Sequence, residues 1–224
     1  TGKTTLAVNL ASYLCFQSGT GHDEIVLVDL DVEEPNAGLF FNLNLKTEEA
    51  QYRKVPFWNE DKCTLCGKCK SVCQFNAIVQ LPGNIMIFPE LCHSCFACSE
   101  LCPEMALPMI NRNIGMIKHY NGSNHFPGRK GISFIEGTLN IGEPSAVPLI
   151  KKTKQYVDDN FQAESLKIFD CPPGTSCPVI ESVKNTDYVI LVTEPTPFGL
   201  HDLKLAVETM RKMERRFGVV VNRF

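Results

Sequence analysis

The sequence predicts an α/β chain, a doubly wound parallel sheet with a small α+β module inserted in it. Three observations carry that expectation. Apolar runs of strand length recur at residues 25–28, 166–169, 188–192 and 218–221. Segments with apolar residues at helical spacing lie among them, and strands that alternate with helices pair in parallel. A cysteine-crowded block at 58–110 breaks the alternation once.

Each element has its own signal. From Thr4 to about Gln17, Leu6, Leu10 and Leu14 recur at helical spacing, and Gly19 supplies a stop. Ile25, Val26, Leu27 and Val28 form a continuous β-branched and aliphatic run, as a strand buried on both faces requires, and it ends in Asp29-Leu30-Asp31. After Pro35-Asn36 the pattern loosens and is polar from Lys46 to Lys54. Residues 115–142 read as strand and turn around Ile132, Phe134 and Ile135. Ser145 is positioned to cap a helix that uses Val147, Ile150 and Val157. The run 166–169 leads into Asp170, and 188–192 is a second buried-strand run. Leu203, Val207, Met210 and Met213 mark a helix over 201–217, before a last strand at 218–221. The expected organisation is one domain from residues 1–57 and 111–224, with 58–110 inserted.

Composition narrows the function. Net charge is −3 with no basic run, which gives no electrostatic footprint for nucleic acid or an anionic membrane. No apolar stretch approaches the ~18–20 residues of a spanning helix. The opening Thr1-Gly2-Lys3-Thr4-Thr5 does not look like a signal peptide. A cytoplasmic location is therefore expected. Of eleven cysteines, eight fall between Cys63 and Cys102, a crowding that favours metal ligation over a disulfide scaffold. The chain opens inside a phosphate-loop pattern and ends after a strand-like run, so it reads as lacking its first strand and some C-terminal structure.

Gly2-Lys3-Thr4-Thr5 at the start of a helix matches the tail of the phosphate-loop pattern G-x-x-x-x-G-K-[ST]. Backbone N–H groups at a helix N-terminus hold phosphate oxygens, a lysine reaches the β- and γ-phosphates, and a threonine hydroxyl coordinates Mg²⁺. Four residues are weak alone. Asp29, Asp31 and Asp170 add three carboxylates at strand ends, and an open parallel sheet binds ligands at that edge.

The segments T-G-K-T-T-L-A-V-N-L-A, V-L-V-D-L-D-V-E-E-P-N, F-D-C-P-P-G-T-S-C-P-V, V-T-E-P-T-P-F-G-L-H-D-L and G-V-V-V-N-R resemble the MinD/ParA-type P-loop ATPases, in the subgroup with an inserted ferredoxin domain. The resemblance implies a P-loop NTPase fold in which Thr1, Gly2, Lys3, Thr4 and Thr5 bind nucleotide and Asn222 contacts adenine. It implies that Asp170 and Asp29, with Thr4, hold Mg²⁺ directly or through water, and that Asp31 is the switch acid near the attacking water. Lys3, Asp31 and Asp170 are then the catalytic set. It also implies an ATP-dependent homodimer, joined by a lysine whose position precedes Thr1.

The cysteine block contains two copies of C-x₂-C-x₂-C-x₃-C: Cys63, Cys66, Cys69, Cys73 and Cys92, Cys95, Cys98, Cys102. This is the bacterial ferredoxin run, in which the fourth cysteine of each copy ligates the other cluster. Two [4Fe–4S] clusters are expected, one on Cys63, Cys66, Cys69 and Cys102, the other on Cys92, Cys95, Cys98 and Cys73. Zinc also suits C-x₂-C, but two tandem copies with matching x₃ spacing argue against it. Gln74 replaces the usual proline, Ser94 and Phe96 stand where glycine is common, and His93 reads as a solvated loop residue. Cys15 and Cys171 read as packing. Cys177 lies seven residues after Asp170, the offset of a cluster ligand in the related nitrogenase iron protein. No second candidate lies between Cys102 and Asp170, and Cys177 is read as structural or redox-inert.

The expected function is an ATPase whose nucleotide cycle is coupled to two [4Fe–4S] clusters, for electron delivery or metallocofactor assembly on an unidentified partner protein. A positioning ATPase with a structural ferredoxin insert, and a simple electron carrier, are the alternatives.

Overall fold

The computed structural model describes residues 1–16, 24–122 and 132–223, so Gln17 and the stop at Gly19 lie outside the described residues. In chain order the elements are α1 (Lys3–Phe16), β1 (Ile25–Asp29), β2 (Leu43–Pro56), α2 (Lys68–Val72), β3 (Ile78–Leu81), β4 (Asn84–Ile87), α3 (Ala97–Glu100), β5 (Met109–Gly122), β6 (Ile132–Leu139), α4 (Val147–Asn160), β7 (Leu166–Asp170), α5 (Cys177–Val183), β8 (Val189–Thr193), α6 (Pro197–Lys212) and β9 (Phe217–Val221). They form two compact units. One comprises 1–49, 116–139 and 146–224, the other 50–115 and 140–145.

The first unit is mixed α/β. Its five-stranded sheet has the order β2-β5-β6-β1-β7 and is mixed rather than wholly parallel. The parallel part is β6-β1-β7, and β8 and β9 form a separate parallel pair. All five residues of β1 are buried, as its uninterrupted apolar run predicts. Ile25 and Leu27 pack with Phe134 of β6 against α1, and side chains alternate across a strand, so Val26 and Val28 face the other way.

Several elements differ from their sequence signals for identifiable reasons. In α1 the leucines are only partly covered, and the fully packed stripe is Ala7, Val8 and Ala11. Small side chains let the helix axis approach β1 and Phe134 closely. The polar stretch 46–54 belongs to β2, a 14-residue edge strand with most of its first half exposed. An edge strand that faces water shows no apolar alternation for the sequence to reveal. Ser145 does not cap α4. Ala146 occupies that position with no side-chain bond, and the buried stripe is Leu149, Ile150, Thr153 and Val157. Helix α6 starts earlier than its leucines suggest, because Thr196 accepts from Gly199 N–H and Pro197 fits the first turn. The β8–β9 pair is less buried than its composition suggests, with Ile190 and Val219–Val221 exposed. No helix among the described residues is long and apolar enough to cross a membrane.

The second unit is built around an internal repeat. A short 3₁₀ turn precedes each ligand run, at Glu60–Lys62 and Pro89–Leu91, and a short helix, α2 or α3, carries its third cysteine. The antiparallel pair β3–β4 joins the halves. Its core holds Cys69, Cys98, Ile78, Ile85 and Leu107.

Close approach of α1 predicts an asymmetric response to size. Ala11→Leu should lower stability by about 1–3 kcal/mol through overpacking. Leu10→Ala, on the half-covered side, should cost less, and denaturant titration of both variants measures the difference.

Candidate functional sites

In-register parallel pairing sets three carboxylates at one level. Asp29 of β1 is paired with Asp170 of β7 and with Glu136 of β6. Each follows an apolar run that ends at the same sheet edge. Glu136 is not among the residues the sequence singles out, although Phe134-Ile135-Glu136 repeats the apolar-then-acid signature of Val28-Asp29 and Phe169-Asp170.

The three acids have different surroundings. Asp29 is fully buried, and its carboxylate accepts from Asp31 N–H at 3.0 Å and from Asn36 and Ala37 N–H at 2.9 Å each. Burial pushes its pKa up, against those three donors. The carboxylate thereby anchors the loop 31–37. Glu136 is raised by burial and opposed by the Thr138 hydroxyl, which donates at 3.1 Å. Asp170, 3% exposed, is pushed up to about 6 by burial, opposed first by a hydrogen bond from Thr4 and assisted by the charge of Asp29. Its Oδ2 is buried with no hydrogen-bond partner. Lys3 lowers both Asp170 and the half-buried Asp31, whose own pKa is raised by burial and then by Asp29. Lys3, Thr4, Asp29, Asp31 and Asp170 therefore sense one another electrostatically.

The turn before α1 adds a further constraint. Gly2 has φ +87°, and a Cβ there would lie 2.5 Å from Asn222 Nδ2, so only glycine fits. Asn222 Nδ2 donates to Thr1 O at 3.1 Å, which brings the two predicted nucleotide-binding ends of the chain together.

The cysteine unit repeats itself residue by residue. Left-handed backbone occurs at Leu65 and Ser94, at Gly67 and Phe96, and at Asn76 and Met105. These positions let each loop fold its N–H groups inward. Leu65 N–H donates to Cys63 Sγ and Ser94 N–H to Cys92 Sγ, both at 3.4 Å. Ala77 N–H donates to Cys73 Sγ at 3.3 Å and Ala106 N–H to Cys102 Sγ at 3.2 Å. Such donors favour thiolates.

The thiols gather across the repeat. Burial first, then Cys63, Cys102 and Cys66, raises the pKa of Cys69. Burial first, then Cys92, Cys95 and Cys73, raises Cys98 to about 11. Each set takes three cysteines from one run and the fourth from the other. Cys63, Cys66, Cys69 and Cys102 also line one cavity, with Trp58, Leu65 and Ile85 among its apolar walls. Among the described residues no three His, Cys, Asp or Glu side chains converge on one ion-sized point. The four cysteines of the first set share the lining of that one cavity, the donor chemistry an iron–sulfur group requires. His93 is exposed as expected, and its ring stacks on Phe75 with centroids 3.9 Å apart. Cys15 packs against the α1 cluster and Cys171 against α5 and α6, while Cys177 is exposed at the start of α5.

These features define an iron–sulfur protein that binds [4Fe–4S]. The 4Fe–4S binding domain family matches residues 56–79, which contain the whole first run. Over 223 residues the chain is 34% identical to the uncharacterized protein MJ0578 of Methanocaldococcus jannaschii, covering 99% of this chain and 74% of that one. It is 30% identical over 226 residues to the uncharacterized protein MJ0579 of the same organism, covering all of this chain and 76% of the relative. The chain belongs to the family of these two proteins.

Two predictions follow from the local strain and charge. Phe96 holds the left-handed geometry that Gly67 holds in the other half, with φ +64° against +77°. Left-handed backbone costs a residue with a Cβ roughly 1–2 kcal/mol, so Phe96→Gly should stabilise the cluster-loaded protein by about 1 kcal/mol in denaturant titration. For Asp170, the folded pKa of about 6 lies above the ordinary carboxyl value of 3.8. The folded state then binds the proton more tightly, and stability falls as pH rises through that window. Asp170→Asn should stabilise the protein, with no ligand added, by about 2 kcal/mol near pH 8, with the gain fading toward pH 4 in denaturant titrations.

Proposed function

We propose that this chain is a MinD/ParA-type P-loop ATPase whose nucleotide cycle is coupled to two [4Fe–4S] clusters, for electron delivery or metallocofactor assembly on a partner protein. The observation that carries the nucleotide half is the buried, unpartnered Oδ2 of Asp170 beside Thr4 and under the field of Lys3. A cation delivered with a phosphate ligand would satisfy that oxygen. In this reading Thr4 and Asp170 hold Mg²⁺, with Asp29 acting through the loop it anchors. Lys3 compensates phosphate charge, Asp31 orients the attacking water, Thr1, Gly2 and Thr5 frame the phosphates and Asn222 meets the adenine. An ATP-dependent homodimer belongs to the same reading.

Cys63, Cys66, Cys69 and Cys102 would hold one cluster, and Cys92, Cys95, Cys98 and Cys73 the other. Bound clusters supply one-electron transfer. The two halves are joined along the chain. Asp29 anchors 31–37, the chain then passes through the 3₁₀ turn Ala37–Phe40 into β2, and β2 continues into the cysteine unit. A loop that reorders on the γ-phosphate would pull on that strand.

Linkage makes the coupling reciprocal, so whatever ATP does to cluster potential, reduction does to ATP affinity. Full-length protein purified without oxygen should carry about eight irons per chain. A redox titration with and without a non-hydrolysable ATP analogue should show a shift of roughly 40–130 mV, the equivalent of about 1–3 kcal/mol for one electron. Potentials that agree within ~10 mV, with unchanged ATP affinity on reduction, would remove the coupling. Zinc at about two per chain and no chromophore would remove the clusters.

A further inference from the structure

The two halves of the cysteine repeat are alike in backbone but not in what holds them. Ahead of Cys92, the turn Pro89–Leu91 is held by a ring of four charged side chains, its own Glu90 and three from other parts of the unit. Arg53, near the end of β2, donates through Nη2 to Pro89 O at 2.8 Å and through Nη1 to Cys92 O. Its Nη2 also pairs with Glu143 Oε1 at 2.6 Å, and both side chains are buried, at 7% and 3% exposed. Glu143 Oε2 accepts from Arg112 Nε at 3.3 Å, and Arg112 Nη1 pairs with Glu90 Oε1 at 2.9 Å. Glu90 is in the same turn, so the ring closes on itself. One residue further along β2, Lys54 O accepts from the Ser94 hydroxyl. In the first half, by contrast, the ligand loop is bonded by a neutral side chain, with Gln80 Nε2 donating to Leu65 O at 2.7 Å.

We propose that Glu143, through Arg53 and Arg112, is a positioning residue that fixes the Cys92 loop and so sets the potential and iron retention of the cluster on Cys92, Cys95, Cys98 and Cys73, leaving the other cluster untouched. The physical basis is the Arg53 fork. A guanidinium bonded to two main-chain carbonyls needs a buried anion to compensate it, and Glu143 is that anion. Without it Arg53 is drawn toward water and releases Pro89 O and Cys92 O together. Glu143 also stands in the segment 140–145 that directly follows β6, seven residues after Glu136, whose strand position is level with Asp29.

The inference rests on the cluster reading above, and its test separates the two. In full-length protein, Cys63→Ser/Cys66→Ser leaves only the second set complete, and Cys95→Ser/Cys98→Ser leaves only the first. Glu143→Gln is added to each, and Arg112→Gln serves as a milder variant because Arg112 is partly exposed. Iron release to a ferrous chelator and the midpoint potential by electron paramagnetic resonance are the readouts. With the second set, release should accelerate about tenfold or more, the usual effect of losing an outer hydrogen-bond partner of a metal ligand. Its potential should rise as the negative charge is lost, whereas Arg112→Gln, which removes a positive charge, should accelerate release less and should not raise the potential. With the first set, both quantities should stay within about twofold or experimental error. Equal acceleration in both backgrounds, or none in either, overturns the proposal. A parent chain that binds no iron fails the cluster reading itself, before any comparison of variants.

Discussion

The buried carboxylate of Asp29 is the constraint on which the first unit depends. A carboxylate with no exposure is costly unless donors replace water, and three backbone N–H groups do so here. All three lie in the loop 31–37, so solvating the charge and folding the loop are one event. That loop carries Asp31 and leads into β2. Neutralising Asp29 would weaken every one of those bonds at once, which is why its role is architectural even where its charge also raises Asp31 and Asp170.

The cysteine unit has the complementary logic. Backbone turns place N–H donors on sulfur in both halves, and the same three positions of each half take left-handed geometry. Glycine meets that need only at Gly67. Leu65, Asn76, Ser94, Phe96 and Met105 accept the strain because ligand placement dictates it. The departure that the sequence flags at Phe96 is therefore real strain, tolerated because the fold requires that backbone whatever the side chain.

Legibility from sequence followed burial. Strand β1 is buried on both faces and its residues announce it, as do the ligand spacings, because three thiolates on one loop demand fixed intervals. Strand β2 is silent because its polar residues face water at a sheet edge. The stripe on α1 is misread because leucine dominates the apolar pattern while the buried residues are Ala7, Val8 and Ala11. Glu136 was within reach of the strand-end rule that finds Asp29 and Asp170. The ring of Arg53, Glu90, Arg112 and Glu143 was not, because its members come from four separate stretches of chain and no spacing links them.

Both candidate sites collect groups that repel one another when ionised. Asp29, Asp170 and Glu136 are all raised by burial at one sheet edge, and Cys69 and Cys98 are raised by burial and then by the thiols around them. Where such groups ionise, their repulsion opposes folding and is relieved by any cation that binds the folded form alone, by RT ln(1 + [L]/Kd). The two units differ in how much relief the protein supplies itself. At the strand ends Lys3, Thr4 and three main-chain donors offset part of the charge, which leaves chiefly Asp170 Oδ2 without a partner. At the cysteine sulfurs themselves the donors are main-chain N–H dipoles. Thiols raised by burial stay protonated near neutral pH, so a metal that binds them must displace protons, and its affinity falls as pH falls.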